Sequence, residues 1–112
     1  AYWIENSLKI SPVEQVELLQ KLYENSFDFA PENIQAVKDS IRLTSSSGGT
    51  LYGKTGTGRV DNQDVNGWFI GYVESSERTC FFAANIQAAK SATGSTASNI
   101  TLSILSDLQI WQ

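Results

Sequence analysis

The sequence predicts an α+β domain in which helices pack on an antiparallel sheet. Two aromatic and β-branched runs, over 67–74 and 79–86, flank the polar turn Ser75-Ser76-Glu77-Arg78, as the two arms of a β-hairpin do. A third strand-forming run, over 50–57, precedes them. Segments with helical spacing stand on both sides of these runs, which gives the order helix, helix, three strands, helix.

Each element has its own signal. The first helix opens at Ser11-Pro12-Val13-Glu14, with Ser11 as N-cap, Pro12 at the first helical position and Glu14 closing a capping box. Val16, Leu18, Leu19 and Leu22 supply its buried stripe. A second helix runs from Pro31, after Ala30, with Ile34, Val37, Lys38 and Ile41 spaced to bury one side. The Ser/Gly stretch over 44–49 reads as a surface loop. Asp61-Asn62-Gln63-Asp64 reads as the solvated loop between the first two strands, at the rim of whatever the strand end carries. The last helix spans 98–111, where Ile100, Ile104, Leu108 and Trp111, with Leu105, form the face that covers the sheet. Trp68 belongs to the core of the central strand and is kept as a supporting residue only.

Composition narrows the function. Among 112 residues, 8 basic and 12 acidic side chains leave a net charge of −4 with no basic cluster, which argues against a nucleic-acid surface. With no His and one Cys, a zinc site of the usual kinds is not expected, and Cys80, inside a strand pattern, reads as a small apolar residue of the interior. No apolar run is long enough to span a membrane, and no signal-like segment opens the chain. The acid pairs Glu14/Glu17 and Asp61/Asp64 are solvated faces, not a general acid/base couple. A three-stranded sheet has exposed edges, so a partner segment is expected to cover one of them.

The chemistry concentrates in G-G-T-L-Y-G-K-T-G-T-G, residues 48–58. One reading takes Gly48-x-x-x-x-Gly53-Lys54-Thr55 as a phosphate-binding loop. That loop needs a buried strand before it and a helix starting at Lys54-Thr55. Here a polar stretch precedes it, and Gly56, Gly58 and Asp61-Asn62 follow. The other reading puts Lys54-Thr55-Gly56 on a strand, as in penicillin-interacting sites. Lys54 is then a fixed cation beside an anionic substrate, Thr55 a hydroxyl for its carboxylate, and Gly56 a surface without Cβ that a ligand approaches closely. The backbone N–H of Thr57 is placed to stabilise a developing oxyanion.

The neighbouring residues favour the second reading. Residues 2–11 (Y-W-I-E-N-S-L-K-I-S), 51–58 (L-Y-G-K-T-G-T-G) and 66–74 (N-G-W-F-I-G-Y-V-E) occur in order, followed by Phe81-Phe82-Ala83 and the final helix. Together they resemble the C-terminal half of a class D (oxacillinase-type) serine β-lactamase, and the closely similar penicillin-sensor domain of β-lactam receptors. The resemblance covers nearly the whole chain and implies a β-lactamase/transpeptidase-like fold, of which residues 1–112 are one half of a single domain.

It further implies acylation of a Ser by a β-lactam and, in the enzymes, hydrolysis through a lysine carboxylated by CO2. No Ser in this chain has a Lys three positions later, so that S-x-x-K pair belongs to the missing N-terminal half and the chain alone is expected to be inactive. By resemblance, Trp3 matches the loop Trp whose indole N–H supports the carboxylated lysine. Ile4 beside it fits a dry wall that keeps an amine neutral, and leans towards the enzyme because sensors resemble one another in a polar residue there. The last helix leans the other way. Class D enzymes carry an Arg near its start, where an ungapped alignment places Ala97, and no Arg occurs after Arg78. The expected function is therefore weak β-lactam hydrolysis, with Trp3 and Thr57 catalytic and Lys54, Thr55, Gly56 and Thr57 binding substrate. The alternative is a sensor that is acylated without turnover. The implied partners are β-lactam antibiotics and the missing half. No metal or cofactor is expected beyond the CO2-derived carboxylation, and the implied location is secreted, periplasmic or at the outer face of a bacterial membrane.

Overall fold

The computed structural model describes residues 11–111, so Trp3 and Ile4 lie outside the described residues. The elements are α1 (Pro12–Tyr23), α2 (Pro31–Ser40), β1 (Arg42–Ser46), β2 (Gly49–Val60), β3 (Gln63–Glu74), β4 (Thr79–Gln87) and α3 (Gly94–Asp107). The sheet is antiparallel throughout, in the order β1-β2-β3-β4. The expected helix-on-antiparallel-sheet architecture is thus present, with a fourth strand added.

Local chemistry explains where most elements begin. Ser11 Oγ accepts the Glu14 N–H at 3.1 Å, and the Ser11 N–H donates to Glu14 Oε1 at 3.0 Å, which completes the capping box of α1. Pro31 starts α2 without a side-chain cap. The β2–β3 connection is only Asp61 and Asn62, at φ 51° and 64°, the two left-handed positions of a type I′ hairpin turn. Gln63 and Asp64, expected in a longer loop, instead pair as the first residues of β3. Arg59 braces the turn, bonding the Asn62 carbonyl at 2.8 Å and Asp64 at 3.1 Å.

Strand alternation assigns the two faces. Leu51 and Val73 lie in register and share one face with Leu105 of α3, Phe82 and Trp111 packing around them. Tyr52 and Tyr72, also in register, stack at 4.5 Å on the other face, where Tyr23 of α1 meets Tyr72 edge-on at 4.8 Å. Lys38 of α2 lies over the Tyr23 ring at 4.2 Å. The sheet therefore runs between α3 on one side and α1 with α2 on the other.

Several expectations need correction. Residues 44–46 are not a loop: with Arg42 and Leu43 they form the edge strand β1, all five residues exposed. The final helix starts at Gly94, with Thr93 as N-cap, four residues before the expected start. Its buried face is Gly94, Ala97, Thr101 and Leu105, whereas Ile100, Ile104 and Leu108 are exposed. Small residues face the sheet because α3 approaches it closely: a Cβ on Gly94 would stand 2.7 Å from Thr55 Cβ. In α1, Leu18 is likewise exposed while Val16, Leu19 and Leu22 are half-buried, and Val37 of α2 faces solvent.

Candidate functional site

Lys54-Thr55-Gly56-Thr57 lies in the middle of β2, and no helix starts at Lys54-Thr55, which removes the phosphate-loop geometry. On one side this stretch pairs with β3, in the register Lys54↔Ile70, Thr55↔Phe69, Gly56↔Trp68 and Thr57↔Gly67. On the other side, β1 pairs no further than Tyr52. Among the described residues, the K-T-G segment is therefore an open sheet edge.

The direction of its backbone groups follows from one bond. The Gly53 N–H donates to the Ile41 carbonyl at 2.8 Å, away from β3. Backbone groups in an antiparallel strand point alternately to either side, and the β2–β3 register is unbroken until Gly58/Arg59. The N–H and C=O of Thr55 and Thr57 consequently point to the open edge. The Lys54 ammonium agrees with this, since it reaches the Thr55 carbonyl at 2.6 Å.

Side chains divide between the two faces. Lys54 lies on the α1 side, where it lines a cavity of about 200 Å³ with Gln15, Thr55, Gly56, Trp68 and Ile70. Trp68 stands opposite Gly56, which has no Cβ to fill the space between them. Thr55 and Thr57 face α3. Thr57 Oγ1 accepts the Gly94 N–H at 2.9 Å, so the start of α3 is bonded to the residue after the K-T-G triplet. Ala97, in the first turn of that helix, is fully buried, and the aligned position carries no cation.

Two further features were not foreseen from sequence. On β4, Asn85 donates to the Gly67 carbonyl at 3.1 Å and to the Asn66 side chain, and accepts from Gln87 at 3.0 Å. Asn85 pairs with Trp68, so Asn85, Trp68 and Gly56 form one row across the sheet. Glu74, unassigned in the sequence, accepts a hydrogen bond from the Tyr23 hydroxyl. Burial first, and then that bond, raise the Tyr23 pKa above the usual phenol value. Burial also raises that of Tyr72, which is 1 % exposed. These tyrosines tie α1 to β3 at the end remote from Thr57. A lone Asn or Glu in a strand gives no sequence signal for such bonds, because the partners are distant in the chain.

The model of the penicillin-binding protein transpeptidase domain matches residues 1–106. The chain belongs to that family. It is 56 % identical, over 104 residues, to the regulatory protein BlaR1 of Bacillus licheniformis, which spans 93 % of this chain and 17 % of that protein. The structure of the C-terminal domain of the B. licheniformis BlaR penicillin-receptor superposes with a TM-score of 0.88 at 54 % identity, covering 95 % of this chain and 43 % of that one. A class D β-lactamase from Bacillus subtilis gives 0.85 at 32 % identity, covering 99 % and 44 %. The fold is that of the β-lactamase/transpeptidase domains, and the chain spans less than half the length of these relatives.

Proposed function

We propose that this chain supplies the K-T-G side of a β-lactam-binding site whose nucleophilic Ser lies on the remaining half of the same domain, and that the acylated protein acts as a receptor. The observation that carries the recognition step is the open edge of β2. There the Thr57 N–H points away from the sheet beside the Lys54 cation.

A β-lactam carboxylate fits between the Lys54 ammonium and the Thr55 hydroxyl, with Thr57 contributing its own hydroxyl. Gly56 lets the ligand approach the strand without a Cβ in the way. When the Ser oxygen attacks the ring carbonyl, a C–O bond forms and the carbonyl oxygen takes negative charge, which the Thr57 N–H stabilises. Collapse breaks the ring C–N bond, the nitrogen takes up the proton that the Ser hydroxyl gives up, and an ester to Ser remains. A lysine carboxylated by CO2 on the missing half would supply the base for hydrolysis, with the Trp3 indole as its support. A receptor of this kind would act at the outer face of a bacterial membrane or beyond it.

The receptor reading is favoured over hydrolysis by the 56 % identity to BlaR1, against 32 % to the B. subtilis enzyme. The absence of an Arg at Ala97 agrees with it. The second reading, weak class D hydrolysis, is favoured by Ile4, an apolar residue suited to holding a lysine amine neutral. A pulse of fluorescent penicillin on the full-length parent protein, chased with bicarbonate present and followed by intact mass, separates them. A receptor keeps the adduct for hours. An enzyme loses it within minutes while hydrolysed drug accumulates, and no adduct at all rejects both.

A further inference from the structure

We infer that Gly94 is a positioning residue of the K-T-G site: it holds Thr57 from behind and requires α3 to start directly on the strand. This rests on the β-lactam reading above and assigns a part to a residue outside the motif.

Two observations meet at Gly94. Its N–H donates to Thr57 Oγ1 at 2.9 Å. A Cβ added to it would stand 2.7 Å from Thr55 Cβ and 2.9 Å from both the N and the O of Gly56. Gly94 therefore bonds Thr57 directly and leaves no room for a side chain against Thr55 and Gly56, where two of the three close atoms are backbone and have no room to retreat. The turn leading into it is also fixed. Thr93 caps α3 by accepting the Thr96 N–H at 3.0 Å, and Ala92, 1 % exposed, bonds through its N–H to the Asp64 carbonyl at 2.7 Å. Gly94 cannot shift without moving the β2–β3 hairpin as well.

The bond has a chemical consequence. A hydroxyl has one proton and two lone pairs. With a lone pair of Thr57 Oγ1 committed to the Gly94 N–H, its rotation is restricted and its proton is directed elsewhere. Gly94 thus presets the Thr57 hydroxyl as a donor while the same residue's N–H faces the open edge. It acts on carboxylate binding through the side chain and on acylation through the strand position.

The test is a double-mutant cycle in the full-length parent protein, read as the second-order acylation rate with benzylpenicillin and with its methyl ester, which lacks the carboxylate. Gly94→Ala should lower the penicillin rate by at least tenfold and the ester rate less. Thr57→Val should lower the penicillin rate, Thr57→Ser should restore most of it, and the double variant should be no slower than the slower single variant. If Gly94→Ala does not fold, the penicillin-to-ester ratios of Thr57→Val and Thr57→Ser decide: equal losses on both substrates overturn the inference. Independent, multiplicative effects of the two substitutions also overturn it. If the unsubstituted parent is not acylated, the functional reading fails first, and the inference falls with it.

Discussion

On the proposed reading, the charge of Lys54 works with few neighbours, because the last helix carries no Arg. A charge-assisted hydrogen bond contributes about 1.5–3 kcal/mol, or roughly ten- to a hundredfold in binding. Lys54→Ala in the parent protein should therefore weaken penicillin capture by that factor, while an uncharged ester substrate is affected less. Stopped-flow acylation at increasing drug concentration checks it, and an unchanged rate would remove Lys54 from the site. The complementary change, Ala97→Arg, should not strengthen capture. Ala97 is fully buried against the sheet, so the larger side chain is overpacked at a cost of about 1–3 kcal/mol. A lowered melting temperature with no gain in acylation is the expected result, and a gain would show that α3 can move outward to admit the cation.

The start of α1 and the Ser75–Arg78 turn are held by bonds between near neighbours and are legible in the sequence, whereas the start of α3 and the two-residue β2–β3 turn are not. The capping box of α1 joins Ser11 and Glu14, and Ser11→Ala should cost about 1 kcal/mol in thermal unfolding of the parent at neutral pH. The Glu14 carboxyl is held below its usual range by the Ser11 N–H and then by the Ser11 hydroxyl. A depressed carboxylate pKa contributes stability that is present above its unfolded value and lost as pH falls through the folded one. Glu14→Ala should consequently destabilise at neutral pH and make little difference in strong acid. At the β2–β3 turn, Asn62→Val puts a β-branched residue at φ 64° and should cost about 1–2 kcal/mol. A fully tolerated Val would mean that the turn adopts another form. The errors are of the opposite kind. β1 has no alternation because all five residues are exposed on an edge. The buried face of α3 was misread because large apolar residues mark the solvent side, while Gly94, Ala97 and Thr101 face the sheet. The K-T-G triplet was legible as a local pattern. The open edge to which its Thr57 N–H points depends on where β1 stops pairing, a fact about two strands and not about one motif.

At the scale of the whole molecule, the sheet is finished on two faces but not all its apolar surface is covered. Ile100, Ile104 and Leu108 follow one another at helical spacing along α3, with 45 %, 51 % and 62 % of their surfaces exposed. Contiguous apolar surface of this kind drives association when nothing covers it. The chain spans 43 % of the B. licheniformis receptor domain, so the rest of such a domain is the natural cover, and it would also bring the Ser that the K-T-G edge lacks. Expressed alone, residues 1–112 should self-associate in size-exclusion chromatography and remain unlabelled by fluorescent penicillin. Mixed with the separately expressed remainder of the parent domain, they should form a one-to-one complex that takes the label. Ile104→Glu should suppress the self-association by placing a charge in the middle of the stripe, and should weaken the complex if the remainder covers α3. A monomeric, soluble chain would show that the stripe is tolerated in water. A labelled complex that Ile104→Glu leaves unchanged would place the remainder elsewhere, against the K-T-G edge alone.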